Sequence, residues 1–328
     1  LLSGVDTVCE LLVARRSLDE RDGLDTATFV SGYPGSPLGG MDLALDRLGD
    51  RLAANRIVHR PGLNEELAAA AVWGSQMGGA VPYEEVDGVV GAWYGKGPGL
   101  DRSGDVLKHA NLMGTGPGGG AVLFVGDDPS AKSSTLPYDT NLALADASAP
   151  VLVPADQQDL FDFGVEAFRL SRFCGSWVGM RIVTAVADGI GTVDTGIDRF
   201  PTGDPAVDVD GRPWTHEPTG QILRSDLEEL WLDRRLRAAQ GWVAARGLDR
   251  VVGAAGRARL GIVCAGKTYR DVLGALEACG LGLDELEGAG IRILKLAMTF
   301  PVAPTRVVEM CDAVDQTRRS LAAAERRV

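Results

Sequence analysis

Two runs of residues fix the class of fold. Residues 88–93 read Gly-Val-Val-Gly-Ala-Trp and residues 121–125 read Ala-Val-Leu-Phe-Val, with no polar break in either. A strand with one wet face alternates apolar and polar residues. An unbroken apolar run this short belongs to a strand covered on both faces. Further short strands are expected at 27–30, 57–58, 151–153 and 179–184. Between them apolar residues recur at helical spacing: Val8, Leu11 and Leu12 within 5–16, then Leu43, Leu45 and Leu48 within 41–52. Helices are also expected over 65–77, 103–113, with Ser103 as N-cap, and 157–172. Short buried strands alternating with helices predict an α/β fold, a parallel sheet with helices on both faces.

Polar, glycine-rich segments follow three of these strands, at 31–40, 94–102 and 126–135. In open α/β sheets ligands sit beyond the carboxyl ends of the strands, so these loops are expected to converge on one edge. From residue 188 the texture changes. Residues 194–216 are rich in Asp, Gly, Pro and Thr and read as a long exposed loop; 225–246 read as one charged amphipathic helix. A smaller α/β unit follows, with strands at 260–265 and 291–296, helices at 269–279 and 305–311, and a charge-rich tail without a further strand. The expected division is 1–195, 196–250 and 251–328.

The chain carries a net charge of −12, with no basic stripe to neutralise phosphates, which argues against nucleic acid. Its five cysteines include no Cys-x-x-Cys pair, so a structural zinc site or an iron–sulfur cluster is not expected, and buried thiols in a reducing cytoplasm are. No run approaches the roughly 20 apolar residues of a membrane span. The first residues lack the features of a signal peptide. The chain does not begin with methionine, which suggests a fragment.

Residues 261–268, Gly-Ile-Val-Cys-Ala-Gly-Lys-Thr, match the spacing of a P-loop. A P-loop needs its apolar strand before the first glycine. Here Ile262 and Val263 occupy the loop positions, so the stretch reads as strand, turn and helix start, with Thr268 as the cap. Gly126-Asp127-Asp128 lacks the third residue of a Gly-Asp-Gly diphosphate motif and reads as a turn after a strand, on the site edge. Glu65 and Glu66 open a helix behind Asn64, a good N-cap, and the helix dipole accounts for one of them. It does not account for Ala68, Ala69, Ala70 and Ala71, small residues that let another backbone, a cofactor or a partner approach. A carboxylate at such a contact can exchange a proton with a ligand nitrogen. In the 94–103 loop, Lys96 and Arg102 can hold an anion. His59, His109 and His216 are not spaced as metal ligands, and no metal site is expected.

Several segments in order resemble the 2-oxoacid:ferredoxin oxidoreductases, and most closely their indolepyruvate group. The carrying residues are Phe29-Val-Ser-Gly-Tyr-Pro-Gly-Ser-Pro-Leu-Gly-Gly40, Leu63-Asn-Glu-Glu-Leu-Ala-Ala-Ala-Ala-Val-Trp-Gly74 and Gly91-Ala-Trp-Tyr-Gly-Lys-Gly-Pro-Gly-Leu-Asp-Arg-Ser-Gly-Asp105. Lys108-His-Ala-Asn111, Gly126-Asp-Asp128, Lys132-Ser-Ser-Thr-Leu-Pro137 and Gly266-Lys267 add to them. The resemblance implies the pyrimidine-type thiamine-diphosphate-binding fold, followed by a transketolase-C-terminal-like domain. It implies oxidative decarboxylation of a 2-oxoacid to an acyl-CoA, with electrons passed to ferredoxin. Glu65 matches the glutamate that contacts N1′ of the cofactor's aminopyrimidine, and Ser36 the hydroxyl that faces the substrate. Tyr33, Pro34 and Gly35 fall in the cofactor loop. Lys96 matches a family lysine, and Arg102, Asp127 and Asp128 join it as substrate or anion residues. The diphosphate-binding domain, Mg2+, 4Fe–4S clusters and a gamma-type subunit or domain are implied elsewhere, on a longer chain or on partner subunits of an oligomer. The polar, basic end at 312–328 departs from the family and suggests a truncation. A non-catalytic remnant or assembly subunit of the same fold, or a nucleotide-binding α/β protein, are the other readings of these residues.

Overall fold

The computed structural model describes residues 1–132, 136–218 and 225–325, the last eleven of these by backbone alone. Strands β1 (Thr26–Gly32), β2 (Ile57–His59), β3 (Gly88–Lys96), β4 (Ala121–Asp127), β5 (Val151–Leu152) and β6 (Val178–Val183) form a parallel sheet. Strand β4 is buried at every residue, as its unbroken apolar run requires. Helices α1 (Gly4–Arg21), α2 (Met41–Leu48) and α3 (Asp50–Ala54) lie in the first third of the chain. Then come α4 (Glu65–Ser75), α5 (Gly97–Arg102), α6 (Gly104–Met113), α7 (Asn141–Asp146) and α8 (Gln157–Cys174).

The two faces carry separate cores. Leu11, Leu12, Phe124, Phe161 and Phe168 join α1 and α8 to one face. Ala68, Ala69, Val72, Trp93, Leu100 and Leu107 join α4, α5 and α6 to the other. At the rim of the first core Arg15, only 2% exposed, donates to Asp19, Thr26 and Thr28, and Arg172 grips both oxygens of Asp19. Burial in such a site disfavours the Arg15 charge and lowers its pKa to about 10, while Asp19 opposes the shift.

The second unit has β7 (Arg250–Gly253), β8 (Leu260–Ala265) and β9 (Ile291–Leu296) in the order β7-β9-β8. Helix α9 (Arg235–Arg246), entered through a π turn at Leu230–Arg234, leads into it, and α10 (Lys267–Ala278) and α11 (Pro304–Glu325) belong to it. Directly after β9 the chain returns to the first unit. Strand β10 (Met298–Phe300) pairs antiparallel with β5, completing a seven-stranded sheet of order β10-β5-β6-β4-β3-β1-β2. The joint is ionic as well: Lys295 on β9 pairs with Asp159 on α8, both 4% exposed, and Arg270 on α10 pairs with Asp156.

Several expectations are corrected. Gly49, at φ 50°, splits the 41–52 helix into α2 and α3. The 94–102 segment is not a loop: β3 runs to Lys96, and Pro98 sits in the first turn of α5, where its missing N–H costs nothing. Ser103 does not cap with its side chain; its hydroxyl, wholly buried, donates back to Gly99 O at 2.8 Å. Thr268 lies inside α10, which starts after Gly266. Ile262 and Val263 pair with Ile293 and Leu294 in the sheet, so residues 261–268 form no phosphate cradle and the nucleotide-binding reading falls. The 194–216 segment is partly packed, with Phe200, Val207, Val209 and Trp214 buried against the first core. Cys9, Cys174 and Cys264 are buried, but Cys279 and Cys311 are exposed. Residues 133–135, part of one carrying motif, lie outside the described residues. No helix among the described residues is long and apolar enough to cross a membrane.

Candidate active site

The strand order locates the site. From β1 the chain moves to β2 on one side and then returns to β3 on the other, so β1 and β3 form the topological switch point of the sheet. Connections leaving these two carboxyl ends diverge and open a crevice, the usual ligand position in such folds. The carboxyl end of β1 releases residues 33–40, and that of β3 ends on Lys96.

Strand β3 builds both walls. Its side chains alternate between the faces of the sheet. Trp93 points into the core beneath α4 and donates from Nε1 to Glu65 O at 3.0 Å. Tyr94 points into the opposite core. Asn64 caps α4, its Oδ1 accepting from Leu67 N at 2.9 Å. Together the cap and Trp93 fix the first turn of α4 and the backbone of Glu65.

The structure separates the two glutamates. The Glu65 side chain lies over Gly99 of α5, where a Cβ would fall 2.2 Å from Glu65 Cγ and 2.6 Å from Oε1. Glycine there leaves room for the Glu65 side chain. Among the described residues the Glu65 carboxylate has no hydrogen-bond or ion-pair partner, so both oxygens can accept. Glu66 points elsewhere, exposed, with Arg102 Nε at 3.8 Å. Along α4, Ala68 and Ala69 are buried on the sheet, while Leu63 and Leu67 leave an apolar edge uncovered.

The 33–40 loop lies on β3. A side chain at Gly35 would sit 3.0 Å from Lys96 Cβ. Tyr33 and Pro34 are exposed, Gly35 and Ser36 half-buried, and Leu38 is buried against the end of β4 near Gly126. Lys96, half-buried, has no partner for its ammonium among the described residues. The loop bearing Ser36 thus meets Lys96 at the end of β3, and Glu65 lies over Gly99, three residues further along the chain. Arg102, exposed, faces Glu66.

Asp127 and Asp128 sit at the end of β4, turned inward. Asp127 is fully buried and accepts from Arg181 Nε at 2.5 Å. Burial raises its pKa, with Arg181 opposing. Its Oδ1 is buried without a partner among the described residues. Asp128, 2% exposed, accepts from Lys132 N at 3.0 Å and from the Thr184 hydroxyl at 3.4 Å, forming the expected turn. Asp127 thus lies behind the crevice rather than on its wall. Trp93, Tyr94 and Gly99 were not singled out from sequence as site residues; the Gly-x-Trp-x-Gly alternation at 91–95 is the signal that could have marked a strand with one crowded face. No group of three or more His, Cys, Asp or Glu among the described residues is placed to hold a metal ion.

The donor set fits one half of a cofactor. A carboxylate over a glycine, with no partner among the described residues, suits a protonated ring nitrogen. Comparisons with known proteins show what the chain is similar to. A family model for the indolepyruvate oxidoreductase domain matches residues 249–318. Indolepyruvate oxidoreductase subunit IorA of Methanothermobacter thermautotrophicus is 29% identical over 219 residues, 63% of this chain and 33% of that protein. The same subunit of Methanothermobacter marburgensis is 26% identical over 291 residues, 87% of this chain and 42% of that one. A solved 2-oxoglutarate:ferredoxin oxidoreductase from Magnetococcus marinus, with 2-oxoglutarate, coenzyme A and succinyl-CoA bound, superposes with a TM-score of 0.66 at 18% identity. It covers 95% of this chain and 56% of its own. The chain spans less than half the length of these two IorA relatives.

Proposed function

We propose that this chain, which belongs to the 2-oxoacid:ferredoxin oxidoreductase family alongside the indolepyruvate oxidoreductases, forms the pyrimidine-binding part of a thiamine-diphosphate enzyme. The reaction is oxidative decarboxylation of a 2-oxoacid of the indolepyruvate type to an acyl-CoA, with electrons leaving for ferredoxin. Thiamine diphosphate, when bound, supplies the carbon nucleophile and the electron sink. Its diphosphate, Mg2+ and the iron–sulfur clusters belong to a diphosphate-binding domain or subunit and a gamma-type partner, in a cytoplasmic oligomer.

The observation that carries this reading is the Glu65 carboxylate over Gly99, without a partner among the described residues, near the switch point of the sheet. Glu65 accepts the N1′ proton of the aminopyrimidine and returns it, and Trp93 and Asn64 keep its backbone in place. Tyr33, Pro34 and Gly35 would help hold the cofactor. Ser36 turns its hydroxyl toward the substrate, and the Lys96 ammonium, with no carboxylate to neutralise it among the described residues, receives the substrate's carboxylate. The apolar edge at Leu63 and Leu67 is where the diphosphate-binding partner closes the site and excludes water.

Calorimetric titration tests this. The isolated chain should bind thiamine diphosphate weakly. The chain assembled with its diphosphate-binding partner should bind it tightly with Mg2+, and Glu65→Gln should weaken that binding. Tight, magnesium-dependent binding by the monomer overturns the division of the cofactor. No binding in the assembly supports a non-catalytic subunit instead.

A further inference from the structure

The loop that carries Ser36 has no secondary structure of its own, yet its two ends meet one side chain. At its start, the Tyr94 ring lies under Gly32: a Cβ on Gly32 would fall 2.5 Å from Tyr94 Cγ and Cδ1. Tyr33 N donates to Tyr94 O at 3.1 Å. At its end, the Tyr94 hydroxyl donates to Asp42 Oδ1, one residue into α2. Tyr94 is fully buried, so this hydroxyl has no water to fall back on. With its proton given to Asp42, its oxygen accepts from His59 Nε2 at 3.0 Å, and His59 Nδ1 faces Asp46 at 3.6 Å. Two residues along the same face of β3, Lys96 touches Gly35.

We infer that Tyr94 is a positioning residue that clamps both ends of the 33–40 loop onto β3 and so sets the Ser36 hydroxyl against Lys96. A tyrosine used only to fill the core needs no hydroxyl, and phenylalanine would fill the same volume. The buried bond to Asp42 ties α2 to the strand instead, across the loop it follows. The substrate-facing role of Ser36 rests on the function proposed above; the clamp does not.

The experiment compares Tyr94→Phe, Asp42→Ala and Asp42→Asn in the full-length protein assembled with its partner. Amide hydrogen exchange reports the loop at residues 33–41, with β4 as the internal control. Losing one buried hydrogen bond should speed loop exchange about tenfold, while β4 stays protected. Asp42→Ala should match Tyr94→Phe, and Asp42→Asn, which keeps an acceptor, should restore wild-type exchange. Unchanged loop exchange in Tyr94→Phe overturns the clamp, as does equal acceleration of loop and β4, which marks global loosening. The KM for the 2-oxoacid distinguishes the two readings. If it rises about tenfold while thiamine diphosphate affinity holds, clamp and Ser36 role both stand. If the loop loosens with KM unchanged, the clamp stands and the Ser36 role falls.

Discussion

At the scale of single residues, Gly99 makes the sharpest prediction. Alanine is the better helix former by about 1 kcal/mol, but the clash with Glu65 Cγ works against that gain, so Gly99→Ala should not raise the melting temperature. The added Cβ occupies the place of the Glu65 side chain and must displace it. A misplacement of this kind costs about 100-fold in turnover, which assay of the assembled enzyme would show. His59 gives a pH prediction. Burial lowers its pKa below the ordinary 6.5, against the pull of Asp42 and Asp46 and with a small push from Arg60. A depressed folded pKa contributes stability above the unfolded value and loses it as pH falls through the folded one. Denaturant midpoints should therefore drop below pH 6.5 more steeply for the native protein than for His59→Gln. The capped helix opening on two carboxylates and continuing in alanine was legible in the sequence. Local chemistry did not distinguish Glu65 from Glu66. Their different surroundings depend on Gly99, 34 positions from Glu65, and on the fold that brings the two together.

Strand β3 is the element that organises the crevice, and its sequence was half legible. Its apolar run identified a buried strand; Gly95 at its end, with Gly97 and Gly99 just beyond, suggested a loose loop. Those glycines serve close packing instead, Gly97 against Tyr138 and Gly99 against Glu65, and Pro98 starts a helix. Sequence cannot distinguish a glycine that frees the chain from one that lets another group approach. Helix α4 depends on its cap. Asn64→Ala should cost about 1 kcal/mol, read as a lower denaturation midpoint with the slope unchanged. Because α4 carries Glu65 in its first turn, fraying there should weaken cofactor binding as well.

For the molecule as a whole, the two units are joined by β10 crossing to β5 and by the Lys295–Asp159 and Arg270–Asp156 pairs, of which the first is buried. Removing one member leaves a buried charge alone. Lys295→Ala should lower stability by about 3–5 kcal/mol, whereas Lys295→Met with Asp159→Asn, which keeps an acceptor for Ala155 N, should recover most of it. Chemical denaturation of both variants checks this. The strands at 260–265 and 291–296 were legible in the sequence, but the return of β10 was not: Met298-Thr-Phe300 is too short to announce a strand, and its partner lies about 150 residues earlier. The central claim is that this chain supplies the proton-handling half of a 2-oxoacid oxidoreductase through Glu65. The most direct test is 2-oxoacid-dependent, CoA-dependent reduction of ferredoxin by the assembled enzyme, native against Glu65→Gln. The account predicts a loss of about 100-fold or more with assembly intact; turnover unchanged by Glu65→Gln would contradict it.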